Sequence, residues 1–232
     1  MREIVFDTET TGFSFPTGDR MVEIGCLELV NGCETGRTFH AYYNPQRTMP
    51  PGAAAVHGLT DAFLADKPLF AAGADDLLAF LGDAPLVAHN ADFDFGFLNG
   101  ELVRAGRPPV DLSRKIDTLA MAKTRHPGAK LSLDALCSRF GIDRSHRVLH
   151  GALLDAQLLA QVYVELSGGR QIGLGLLAEP KRDSTGRVAA STPRVVRPPR
   201  VFMPSPGELA AHQAFIATLV DPLWGTDGAA TT

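Results

Sequence analysis

Asp7 and Glu9 stand two residues apart at the end of the apolar run Ile4, Val5, Phe6, in the stretch EIVFDTETTG. Side chains alternate faces along a strand, so Val5, Asp7 and Glu9 point the same way, with the two acidic Cα atoms roughly 7 Å apart. Two carboxylates that close, beside apolar neighbours, raise each other's pKa unless a cation lies between them. The spacing therefore asks for a cation. An all-oxygen donor set suits a hard divalent ion such as magnesium, and thiolates do not.

Three further segments carry residues of the same kind. VAHNADFDFGFLN sets Asp92 and Asp94 in the first turn of an expected helix, where capping through the helix dipole is the competing role for each. Asp117 in RKIDTLAMAK falls at a strand-to-helix junction and reads as a cap. HRVLHGALLDAQLLAQ offers His150 and Asp155. Five helical steps turn by about 140°, so these two share no helix face. They meet only if Gly151 opens the helix and His150 lies on the loop before it. Asp155 sits among residues that bury, and its alternative is a solvent-facing helix acid.

The elements that must position these groups follow from periodicity. Apolar runs near 2–7, 21–30 and 36–43 read as strands, the last two joined by a turn at the Asn-Gly of NGCETG. LFAAGADDLLAFLG has helical spacing and a glycine stop, PLVAHN is a short strand, and a helix follows over 91–105. RKIDT reads as a fifth strand, with helices after it near 117–124, 132–140 and 151–166. Three early strands and then alternation predict an α/β domain on a mixed sheet.

The chain has 232 residues and 45% apolar composition, enough for one sizeable core plus an appendage. A net charge of −4 argues against a generic nucleic-acid binder and is compatible with a site that gathers acids around metal. No apolar run approaches the ~20 residues that span a bilayer, and MREIVFD has no signal-peptide pattern, so a cytoplasmic protein with no membrane partner is expected. Cys26, Cys33 and Cys137 form no CxxC pair and read as reduced thiols. The expected domain covers 1–177. Residues 178–206, rich in proline and arginine, read as a flexible linker, and 207–232 as a docking segment with an apolar helix near 207–224.

Taken together, FDTETTG, VHGL, HNADFDFGF and LHGALLDA, in that order, resemble the DEDD-type 3′–5′ exonucleases of the histidine subclass, over about residues 2–167. Within that family the chain is similar to the proofreading exonucleases of bacterial replicative polymerases. The resemblance implies a ribonuclease H-like fold, a five-stranded mixed sheet flanked by helices. It implies two divalent ions, Mg²⁺ or Mn²⁺, held by Asp7, Glu9, Asp94 and Asp155, with His150 as the catalytic base. Thr8, Thr10, Thr11 and His57 would lie by the terminal nucleotide of a frayed 3′ DNA end, supported by His89 and Asn90. Asp92 stands where the family has a small residue and is a rival to Asp94. Gly52 stands where the family tends to have an acid. His40, His126, His146 and His212 match no motif.

Two partner expectations complete the reading. QIGLGL, with Gln171, Leu174 and Leu176, resembles the Gln-x-x-Leu-x-Leu peptides that bind bacterial sliding clamps. The apolar tail would dock the polymerase subunit. The alternatives are a free-standing exonuclease acting on RNA ends, and a structural subunit whose nuclease site is dead.

Overall fold

Alternation decides the first strand. β1 (Arg2–Thr10) buries Ile4 and Phe6 on one face of the sheet and Val5 on the other. It runs past the expected 2–7 because antiparallel pairing with β2 (Met21–Val30) continues to Glu9 opposite Glu23, with a bulge at Thr10. Asn31 and Gly32 both take positive φ, 52° and 76°, which matches the right-handed strand twist in a two-residue hairpin. The turn therefore closes at once, and β3 (Cys33–Tyr42) begins three residues before the expected position. β4 (Leu86–Ala88) and β5 (Lys115–Asp117) pair in parallel, completing the order β3-β2-β1-β4-β5. The computed structural model describes residues 1–145, 149–168 and 203–220.

Two helices were not legible as such. α1 (Pro51–His57) starts on a proline, whose missing N–H is no loss in a first turn, and stops at Gly58 with φ 76°. α2 (Asp61–Leu64) is capped by the Thr60 hydroxyl, which accepts from Phe63 N. The remaining helices match expectation within a residue or two: α3 (Phe70–Leu81), α4 (Ala91–Arg104), α5 (Thr118–Arg125), α6 (Leu133–Phe140) and α7 (Ala152–Leu166).

Each face of the sheet has its own helices. Ile4, Phe6, Ile24 and Leu86 pack with Leu77 of α3 and Phe95 and Leu98 of α4. Val5, Leu27 and Val87 pack with Ala156 and Leu159 of α7. Each of the larger buried side chains among them, Val, Leu, Ile or Phe, contributes about 1.5–3 kcal/mol. Parity along β1 then sends Asp7 and Glu9 to the α7 face and Thr8 to the α4 face. α7 lies very close to the sheet: a Cβ on Gly25 would stand 2.2 Å from Leu153 N. Gly25 is the β2 residue paired with Asp7. A buried bidentate pair, Arg20 Nε and Nη2 on the Glu101 carboxylate at 2.6 and 2.7 Å, ties the start of β2 to α4.

The chain divides into two units, Met1–Gly175 and Leu176–Thr232. In the second, α8 (Pro206–Ile216) opens with a capping box in which Ser205 and Glu208 satisfy each other's backbone N–H. It ends at Ile216, short of the expected 224. Leu209 and Phe215 are exposed. Gln171, Leu174 and Leu176, most of the expected linker, His146, and Leu223 and Trp224 lie outside the described residues. Among the described residues, no helix is long and apolar enough to cross a membrane.

Candidate active site

The α7 face collects three of the expected residues. Ligand atoms of Glu9, His150 and Asp155 all lie within 4.8 Å of one another. Glu9 comes from the last turns of β1's alternation, and Asp155 from the first turn of α7, lowered onto the sheet over Gly25. Gly151 is the N-cap of α7, so His150 does lie on the preceding loop, with Nδ1 3.2 Å from Asp155 Oδ2. Asp155 is buried and His150 half-exposed, so the ring reaches solvent while its carboxylate partner does not. Asp7, half-buried, precedes Glu9 on the same face.

Asp94 arrives from the opposite face. Its carboxylate accepts a 2.7 Å hydrogen bond from the Thr8 hydroxyl, and it is buried. Burial pushes its pKa up to about 7, against the opposing hydrogen bond from Thr8. Asp92 is separated from it by geometry: its exposed carboxylate pairs with Lys115. Asp7 and Asp94 lie outside the three-residue cluster of Glu9, His150 and Asp155.

The other expected residues line or brace a cleft of about 630 Å³ beside these acids. Thr8, Thr10 and Thr11 form one wall, His57 and Gly52 of α1 the other, and Phe93 closes it. Thr10 donates to Gly12 O, and Thr11 accepts from Arg20 N, which holds the loop after β1. His57 Nδ1 accepts from Leu59 N, and burial pushes its pKa down. A Cβ on Gly52 would meet nothing within 4 Å, so open space stands where the family tends to place an acid. His89 Nδ1 meets the Thr118 hydroxyl at 2.9 Å. Asn90, at φ 62°, donates its backbone N–H to Asp117, which also caps α5 through Leu119 N. A second cavity, about 670 Å³, lies against Leu29, Cys33 and Val164 and contains none of the candidate residues.

Glu23 was missed. It is buried opposite Glu9 and bonded to His40 Nε2 at 2.7 Å, so His40 has a partner within the sheet. The signal was available: a carboxylate in the middle of the buried strand MVEIGCLELV needs a partner.

Residues 4–163 match the exonuclease family RNase_T. The chain is 47% identical to the DNA polymerase III subunit epsilon of Rickettsia felis, over 95% of this chain and 97% of that one. It is 43% identical to the subunit of the same name from Escherichia coli K12, over 92% and 91%. Among solved structures it resembles exonuclease X in complex with 5′ overhanging duplex DNA, at 27% identity and TM-score 0.56, covering 71% of this chain and 90% of that one. The zinc-bound E. coli ExoI–ssDNA complex shares the fold at 21% identity and TM-score 0.62, covering 73% of this chain and 41% of that one. The sheet order, the acids gathered at the end of β1 and kinship over nearly the whole length agree: the chain belongs to the RNase_T exonuclease family and, within it, to the epsilon subunits of DNA polymerase III.

Proposed function

We infer that the protein is the proofreading 3′–5′ exonuclease of a bacterial DNA polymerase III, hydrolysing the 3′-terminal phosphodiester and releasing nucleoside 5′-monophosphates. Kinship with epsilon subunits along nearly the full chain supports the assignment. The convergence of Glu9, His150 and Asp155 is the observation that carries the chemistry.

The donor set fits the divalent metals this family uses. It is rich in carboxylate oxygen, and Asp94 is buried with a neutral hydroxyl and backbone amides as partners, an arrangement that calls for positive charge to keep it ionised. Asp7, Glu9, Asp94 and Asp155 would hold two ions, Mg²⁺ or Mn²⁺. When bound, such a pair neutralises charge on the attacking and leaving oxygens of an in-line displacement at phosphorus.

The side chains supply the rest. His150 takes a proton from the attacking water through Nε2, while Asp155, 3.2 Å from Nδ1, orients the ring. The Thr8–Thr11 segment and His57 seat the terminal nucleotide, and Phe93 and Val56 offer apolar surface to its base. With Gly52 open, no carboxylate from that position meets the sugar. His89, Asn90 and Asp117 brace the turn that delivers Asp94.

The test uses 5′-labelled DNA with a mismatched 3′ end, matched DNA and an RNA oligomer, with Asp7→Ala as control. Stepwise shortening of DNA, fastest at the mismatch and absent in the variant, is expected. Shortening mainly of RNA would move the protein to RNA turnover, and no shortening would leave a structural subunit. Asp155→Ala with full metal-dependent activity would overturn the site. The exposed apolar residues of α8 support docking of the tail on the polymerase catalytic subunit; deleting 206–232 should abolish that binding. Gln171, Leu174 and Leu176 are proposed to engage the sliding clamp on their sequence pattern alone. Failure to co-elute with the clamp would count against it.

A further inference from the structure

We propose that Leu149 is a positioning residue, a latch that fastens the loop carrying His150 onto the C-terminal end of α1. This rests on the reading that His150 takes the proton. His150 stands on a loop, outside any helix or strand, yet its ring must be held to within a fraction of an ångström of the attacking water.

Two contacts with α1 supply that restraint. The His150 backbone N–H donates to Val56 O at 3.2 Å. Leu149 Cδ1 fills the space above Gly58, lying 2.6 Å from where a Cβ on that glycine would be. Gly58 takes φ 76° to end α1, so the backbone conformation and the missing side chain both favour glycine there. Leu149 remains 50% exposed, an apolar side chain kept partly in water beside the active site. Its seat on α1 therefore serves the loop more than the core.

The same helix walls the cleft through Gly52, Ala53, Val56 and His57. The terminal nucleotide and the catalytic histidine thus take their positions from one element. A nucleotide seated against α1 meets a ring already fixed to it.

The test uses the full-length chain with Leu149→Ala, Leu149→Met, His150→Ala and the double variant Leu149→Ala/His150→Ala, in steady-state excision with Mg²⁺. Leu149→Ala should lower kcat by about 10-fold or more, with KM changed less than about 3-fold, because only the placement of the base is lost. Leu149→Met, which can refill the space, should recover most of kcat. In the His150→Ala background, Leu149→Ala should lower kcat no further, since the latch then has nothing to position. An equal loss in both backgrounds would overturn the proposal and assign Leu149 a general structural role. So would wild-type kcat in Leu149→Ala alongside a crippled His150→Ala. An active His150→Ala protein would instead overturn the base assignment beneath it.

Discussion

Replacing Gly25 by alanine separates packing from catalysis at one position. Gly25 sits opposite Asp7 on the sheet face that α7 covers, and its added Cβ would stand 2.2 Å from Leu153 N and 2.3 Å from Leu153 Cα. Both are backbone atoms, so rotating a side chain relieves nothing. Ordinary contact distances of about 3.5–4 Å then require α7 to lift by more than about 1 Å at its first turn. Asp155 is in that turn. Metal–oxygen distances tolerate about ±0.2 Å, so the lift exceeds the tolerance at least about fivefold. Overpacking typically costs about 1–3 kcal/mol, against a total stability of about 5–15 kcal/mol, and melting establishes that the variant is folded before its kcat is compared. Its kcat should fall by about 10²-fold. Gly96→Ala is the control: it lies in α4 with nothing within 4 Å of the new Cβ, and should keep full activity with a midpoint unchanged or raised. The assay is excision of a 3′-mismatched primer with thermal melting in parallel. A folded Gly25→Ala protein with wild-type kcat would refute the claim that the close approach of α7 sets the metal site.

Asp94→Asn should abolish metal-dependent excision, whereas Asp92→Asn should leave it unchanged and lose less than about 1 kcal/mol of stability, since only an exposed pair with Lys115 goes. Steady-state kinetics and melting of the two proteins check both. Glu101→Ala leaves Arg20 buried without its partner and should cost about 3–5 kcal/mol by denaturant melts. Glu28 is held below its usual pKa of 4.5, first by its hydrogen bond from Arg2 and then by that from Thr35. A depressed carboxylate stabilises above its ordinary pKa and loses that contribution as pH falls through the folded value. The melting difference between wild type and Glu28→Gln should therefore be present at neutral pH and vanish in acid.

The acids were legible because their chemistry constrains their spacing. Asp7 and Glu9 had to share a face, and His150 could reach Asp155 only from a loop before Gly151, which is where the fold puts it. Between Asp92 and Asp94, which fall in one helical turn, the resemblance alone favours Asp94. The two side chains part through partners distant in sequence: Lys115 from β5 pairs with Asp92, and the Thr8 hydroxyl from β1 donates to Asp94. α1 escaped notice because PPGAAAV has little apolar periodicity; it is defined by proline at one end and glycine at the other. β1 was read short because its last residues are polar, and only pairing with β2 keeps them extended. Apolar spacing along the tail continues past Ile216, but the helix ends there, with Ala217 as its C-cap.

β3 forms one border of the sheet, ten residues long and mostly exposed. A long border of unpaired amides is a template for strand addition by another copy, and hence for aggregation. Here it is interrupted. Pairing with β2 shifts register between Leu27 and Leu29, Gly36 takes φ 81°, and Glu34, Arg37 and His40 place charged or ionisable groups along it. The broken register and the mixed charge make the border a poorer template for strand addition than a regular, uncharged edge of the same length.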